Sequence, residues 1–208
     1  MENNFFPDTD YKLPVSSNYM KFLEGDNTFR VLSSTIVGFE YWNEDGKPVR
    51  TREMPDGTPL DIRIEKDRTY QIKHFWAFVV WNYEAKKIQI LQLTQKSIMR
   101  TIEGLVKNKK WGNPKGYDIT VTRSGSRIND TDYSTVPNPH KELEKSIQDK
   151  YEKTPINLDA LYEGADPFAR KDDTDVSPAS ENPATGLPEG NKVIIDPRLD
   201  DEEINLAD

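Results

Sequence analysis

Cysteine is absent from these 208 residues, which excludes disulfide bridges and any metal site built on thiolates. Histidine is nearly absent too. With only His74 and His140, a zinc site would have to be completed by carboxylates, and no cluster with ligand spacing stands out. Long apolar runs are missing: none approaches the roughly 18 residues of a membrane span, and MENNFFPDTD at the start has neither the basic nor the apolar region of a signal peptide. The expectation is a soluble cytoplasmic protein without metal or cofactor. A Gly-rich phosphate loop, an HExxH pair and a nucleophile elbow are likewise missing, so the common enzyme signatures do not apply.

Apolar residues are scarce as well, at 35% with a mean hydropathy of −0.81, so part of the chain contributes to no core. The charge distribution shows which part. Residues 171–208 hold three basic side chains against eleven acidic ones, enough to account for the net charge of −8 of the whole chain. Residues 71–130, by contrast, hold eleven Lys and Arg against four carboxylates. A basic body therefore carries an acidic tail, and the overall acidity does not argue against a nucleic-acid partner.

The most informative stretch is 71–114. Residues 73–83 are rich in aromatic and β-branched side chains and 87–94 alternate, which predicts two strands joined by a turn at 82–86. Ile98, Met99, Ile102, Leu105 and Val106 then follow helical spacing, with Thr94 as N-cap. Before this unit, 19–23 reads as a short edge strand and 28–42 as one long strand bent at Gly38; 43–70, dense in Pro, Gly and charge, reads as an insertion with room for its own hairpin. After it, 117–123 and 133–136 read as strands, Asn138 and Pro139 as the start of a helix reaching Lys153 on a narrow stripe of Leu143, Ile147 and Tyr151, and 157–163 as a further turn stopped by Gly164. The order predicts a mainly β fold: a five-stranded OB barrel with one helix between its third and fourth strands, plus a C-terminal helix and a disordered acidic tail. The expected divisions are an N-terminal arm at 1–18, the OB domain at 19–139, a helical extension at 140–165 and the tail at 166–208.

The chain resembles the single-stranded DNA-binding proteins encoded by bacteriophages. The resemblance is carried by YMKFLEGDNTFRVLSS at 19–34, FEYW at 39–42, FWAFVVWNY at 75–83 leading to ILQLTQKSI at 90–98, and KWGNPKGYDITVTRSG at 110–125. It covers roughly residues 19–139. It implies an OB fold, non-catalytic coating of single-stranded DNA during replication, recombination and repair in the cytoplasm of an infected bacterial cell, and an acidic tail that recruits other replication proteins. Asp200, Asp201, Glu202, Glu203, Ile204 and Leu206 would be the recruiting residues. Some relatives carry a structural zinc, which a cysteine-free chain does not match. The chain also closes on Leu206-Ala207-Asp208 rather than the Pro-Phe of bacterial counterparts, which speaks against sharing the host's tail-binding partners.

The first strand of the central unit is apolar on both faces. Trp76, Phe78 and Val80 suit the core, while the opposite row either covers a second layer or forms a stacking platform: Phe75, Trp81 and Tyr83 share their parity with Lys73, as aromatic rings beside a phosphate-binding cation would. Lys107, Lys109, Lys110 and Trp111 gather at a helix C-terminus, where lysines equally compensate the helix dipole. Arg123 and Arg127 flank the turn between the fourth and fifth strands, commonly a binding loop of OB folds. Arg30 and Trp42 either extend the groove or serve the first strand. Two readings compete with coating of single strands: a metal-dependent nuclease using Asp61, Glu65 and Asp118, and an adaptor that works through its acidic tail.

Overall fold

The structure is a computed structural model that describes residues 18–65, 68–69, 71–125 and 130–169. The N-terminal arm at 1–17, Arg127 and nearly all of the acidic tail lie outside the described residues. In chain order the elements are β1 (Gly25–Val31), β2 (Ile36–Trp42), β3 (Pro48–Thr51), β4 (Ile64–Glu65), β5 (Arg68–Thr69), β6 (Lys73–Asn82), β7 (Lys87–Leu93), α1 (Lys96–Lys107), β8 (Tyr117–Ser124), β9 (Asp132–His140) and α2 (Lys145–Glu152). The fold is mainly β, an open antiparallel sheet of seven strands, with β4 and β5 as a separate pair.

β6 is the middle of this sheet because its ten residues carry apolar side chains in both directions, and such a strand is stable only when covered on both faces. One edge of β6 pairs with β2 and then with β1, placing Ala77 opposite Ile36 and Val80 opposite Val31. The other edge takes β7, from Trp76–Leu93 to Asn82–Lys87. The intervening turn closes on Asn82, whose Oδ1 accepts the backbone N–H groups of Glu84 at 3.0 Å and Ala85 at 3.2 Å.

The long strand expected at 28–42 is two strands on one edge. The break is at residues 32–35, where the Val79 N–H donates to Ser33 Oγ at 2.8 Å in place of a ladder bond. Gly38, expected at the bend, sits inside β2 for another reason. A Cβ there would lie 2.2 Å from the Thr51 carbonyl oxygen and 3.1 Å from the rings of Phe75 and Tyr162. Glycine is needed for that close approach.

β8 pairs with β1 and with β9, and no ladder joins β7 to β9 among the described residues, so the closed barrel predicted from the sequence is not formed by strand pairing. Residues 18–23 lie at this opening. The Met20 N–H donates to the Ile90 carbonyl at 2.9 Å, and the Phe22 ring packs 6.0 Å from that of Tyr133 on β9. This segment forms one isolated parallel bridge rather than the expected edge strand. The insertion does contain hairpins, β2–β3 turning through Gly46 (φ 70°) and β4–β5.

Two further boundaries differ from the expectation. α1 begins at Lys96 with Gln95 as N-cap and no side-chain cap, so Thr94 lies one position too early. Asn138 and Pro139 belong to β9, not to a helix; β9 is an edge strand, where prolines cost no ladder bond on the solvent side, and α2 starts only at Lys145.

One face of the sheet, with Phe29, Val31, Phe78, Val80, Leu91, Ile119 and Val121, packs against Ile98, Met99 and Ile102 of α1. The other face of β6 is covered by residues 143–168. Ile147 and Ile156 pack over Val79 and Trp81, and Leu161, Tyr162 and Phe168 over Phe75 and Ala77. The Tyr162 hydroxyl donates to the Val37 carbonyl at 2.6 Å, and the Pro167 carbonyl accepts from the Asn157 N–H at 2.8 Å. Ile147 and Leu161 are buried, and burying each contributes about 1.5–3 kcal/mol. The narrow stripe of α2 is thus one part of a firm cover. Packed order runs through Phe168, past the tail boundary expected at 166.

Candidate nucleic-acid interface

The cover over β6 decides the fate of the proposed aromatic platform. Phe75 is 0% exposed and Trp81 6%, so both rings serve the second layer, the plainer of the two alternatives. Lys150 of α2 sits 4.9 Å above the Trp81 ring, where a base would have to stack. Tyr83 is also engaged. Its hydroxyl donates to Asp118 Oδ1 at 3.0 Å, and the same oxygen accepts Arg30 Nε at 2.5 Å.

Arg30 is therefore a structural residue and does not extend a groove. It is buried, and its Nη1 donates to the carbonyl of Lys141 at 2.9 Å, tying the chain between β9 and α2 to the sheet. Burial, then the hydrogen bond to Asp118, pushes the Tyr83 phenol up to about 12. An unfolded tyrosine ionises near pH 10. The stabilisation is therefore complete below about pH 10 and is lost as pH rises toward the folded value. Denaturation midpoints taken from about pH 9 to 11 should fall more steeply for the native protein than for Tyr83→Phe. Parallel decline in the two would remove Tyr83 from the alkaline transition.

The cover does not extend to the Lys73 end of this face, and a cleft of about 660 Å³ opens there. Its floor is built from side chains on one side of the sheet. Arg50 of β3 stands opposite Glu40 of β2, Glu40 stands opposite Lys73 of β6, and Gln92 comes from β7. Trp42, two residues beyond Glu40, points to the same side. Lys21, Lys47, Tyr19, Phe22 and Tyr133 line the rim and walls, and Leu161, Gly164 and Ala165 of the C-terminal segment close one side. Among the described residues that line it, four cations thus accompany a single carboxylate. That carboxylate is held in place: Glu40 Oε2 lies 2.8 Å from Arg50 Nε and accepts the Gln92 amide at 2.9 Å, and Arg50 Nε also donates to Gln92 Oε1 at 3.1 Å. The Tyr19 phenol is raised above its usual range, first by burial, with Arg50 opposing and Asp166 and Glu40 adding to the rise.

Of the residues singled out in the sequence, Trp42 and Lys73 line this cleft. Arg123 stands behind its wall, paired with Tyr133 and donating to the Phe22 carbonyl at 3.3 Å. Lys107, Lys109, Lys110 and Trp111 are at the far end of α1, about 18 Å away along a twelve-residue helix whose start borders the cleft. Lys107 pairs with Glu103, and Trp111 stacks on His140 at 5.6 Å while packing against the core. Lys109 and Lys110 are exposed there. Arg127 and the six tail residues from Asp200 to Leu206 lie outside the described residues.

Sequence reasoning missed Tyr19, Lys21, Glu40, Lys47, Arg50, Gln92 and Tyr133. The available signal was parity: Glu40 and Trp42 fall on one side of β2, and the Asp45-Gly46 turn folds Lys47 and Arg50 back beside them. Two of the carboxylates proposed for a nuclease, Asp61 and Asp118, are engaged in separate places. Asp61 accepts from the Tyr41 hydroxyl at 3.0 Å, Asp118 belongs to the Arg30 network, and no group of three or more metal-binding side chains occurs among the described residues. No helix among them is long and apolar enough to cross a membrane. Compared with models of protein families, with curated proteins and with solved structures, the chain matches none.

Proposed function

We propose that this protein binds single-stranded DNA along the cleft and coats it, as the phage-encoded single-stranded DNA-binding proteins that its sequence resembles do. The observation that carries the reading is the cleft itself, in which Trp42, Tyr19 and Tyr133 stand among Lys21, Lys47, Arg50 and Lys73. Rings that stack on bases, set beside cations that follow the backbone, are the means by which single strands are bound with little sequence preference.

The strand order supports the same reading. With β1 and β2 taken as one bent strand, the first strand pairs with the second (β6) and the fourth (β8), the fourth with the fifth (β9), and α1 follows the third (β7). These pairings favour an OB fold, in which residues 18–23 would stand where the third and fifth strands close. The cleft is then lined by Lys47, Pro48 and Gln71 of the first connection and by Tyr133 near the start of the fifth strand, the side on which OB folds hold oligonucleotides. Coating serves replication and recombination in the bacterial cytoplasm, and the acidic residues from Asp200 to Glu203, with Ile204 and Leu206, recruit a protein partner.

Replacing Lys21 and Lys47 together by Gln tests the role of these cations. Affinity should fall by a similar factor for every sequence, and the slope of log affinity against log salt should shrink by about 0.7 for each phosphate that is no longer neutralised. An unchanged slope would place the strand elsewhere.

A further inference from the structure

A carboxylate on the floor of a groove for a polyanion requires an explanation. Glu40 is 7% exposed, yet it lines the cleft beside Arg50, Lys73 and Gln92. Only its Oε2 is occupied, by Arg50 Nε and the Gln92 amide. Its Oε1 accepts no hydrogen bond from the described residues, and it is not among the polar atoms sealed from solvent without a partner. The cleft therefore presents one fixed, anionic acceptor at its base, while the exposed cations Lys21 and Lys47 are at its rim.

We infer that Glu40 reads the bases of the bound strand, favouring those that offer an exocyclic amino group over thymine. This rests on the single-strand reading above and goes beyond it. A phosphate brought to Oε1 would meet the charge of Glu40, because Arg50 is held on Oε2, so the backbone runs along the exposed Lys21 and Lys47 and the bases point inward. A base edge beside Oε1 is stabilised if it donates. The N4 amino group of cytosine does so at the outer edge of its ring, a pairing that carboxylates also use in duplex recognition. Thymine offers only N3–H, set between two carbonyl oxygens that the carboxylate repels. Gln92 and Arg50 are positioning residues: their hydrogen bonds to Oε2 hold Oε1 toward the cleft.

The test compares oligo-dC and oligo-dT of equal length on the full chain, as a ratio of affinities within each variant, so that a change in folded fraction cancels. The native protein should favour oligo-dC by about fivefold, the lower end of the discrimination that a base-edge contact supplies. In Glu40→Gln the amide oxygen still accepts from Arg50 and Gln92, while its NH2 faces the cleft and donates to the thymine carbonyls. The preference should therefore reverse. Glu40→Asp keeps the charge but withdraws it by one methylene, and should bring the ratio toward one. A ratio that is the same in the native protein and both variants overturns base reading and leaves the single-strand reading intact. Absence of binding to either oligonucleotide at low salt overturns both.

Discussion

Trp42→Ala should weaken single-strand binding by about five- to 150-fold, the span that corresponds to 1–3 kcal/mol for one stacked base. The ring is half-buried on the cleft wall, at the end of β2 and opposite Pro48. Its removal strips a stacking surface from the cleft while the layers on both faces of β6 stay filled. The stability cost should stay within about 1–2 kcal/mol, in the ordinary range for a partly exposed side chain. Trp81→Ala is the informative contrast. Trp81 lies under α2, so truncating it should cost about 3–5 kcal/mol of stability. Fluorescence titration with a labelled oligonucleotide, alongside urea denaturation of each variant, separates the two. Native affinity in Trp42→Ala would remove the cleft's principal ring from the proposed site.

Asp118→Ala should cost about 3–5 kcal/mol of folding stability, the usual result of removing one partner from a buried ion pair. Arg30 is buried, and Asp118 is its one carboxylate partner among the described residues. Without Asp118 the guanidinium keeps only backbone carbonyls, at Lys141 and more distantly Lys115, and the Tyr83 hydroxyl loses its acceptor. Because the hydrogen bond to Lys141 fixes the chain that leads into α2, the second layer should loosen along with the sheet. A urea midpoint shift equivalent to less than about 1 kcal/mol would show that the charge is screened as at a surface.

Much of the fold is legible in the sequence because its strongest signals are local. Residues 73–83, the turn at 82–86 and the helical face of Ile98, Met99 and Ile102 follow from periodicity alone. Both rows of β6 lie on the faces that the sequence suggests, since side-chain alternation leaves only two choices. What covers the outer row is not legible. The C-terminal segment offers Ile147, Leu161, Tyr162 and Phe168 spread over 22 residues, with no sustained period, so its packing shows only when the chain returns across the sheet. The break at 32–35 rests on Ser33 replacing a ladder bond, and Gly38 on a close approach by distant residues. Neither leaves a local pattern.

The same reason explains the site. Parity puts Lys73 on one face with the aromatics of its own strand, yet the cleft beside it is completed by Lys21, Lys47, Arg50 and Tyr133 from other segments. Buried Arg30 cannot be told from a groove cation by residue type. Its partner Asp118 is 88 residues away.

Whether the cleft at the Lys73 end of β6 holds a single strand is decided by a titration with single- and double-stranded oligonucleotides of equal length across a salt series. Tryptophan emission reports on the site because Trp42 lines it. The single strand should quench it at low salt, an effect largely lost in Trp42→Ala; affinity should fall steadily with salt, and the duplex, whose paired bases offer no free faces, should bind much more weakly. No quenching by the single strand at low salt, or equal affinity for the two forms, would contradict binding of a single strand in the cleft.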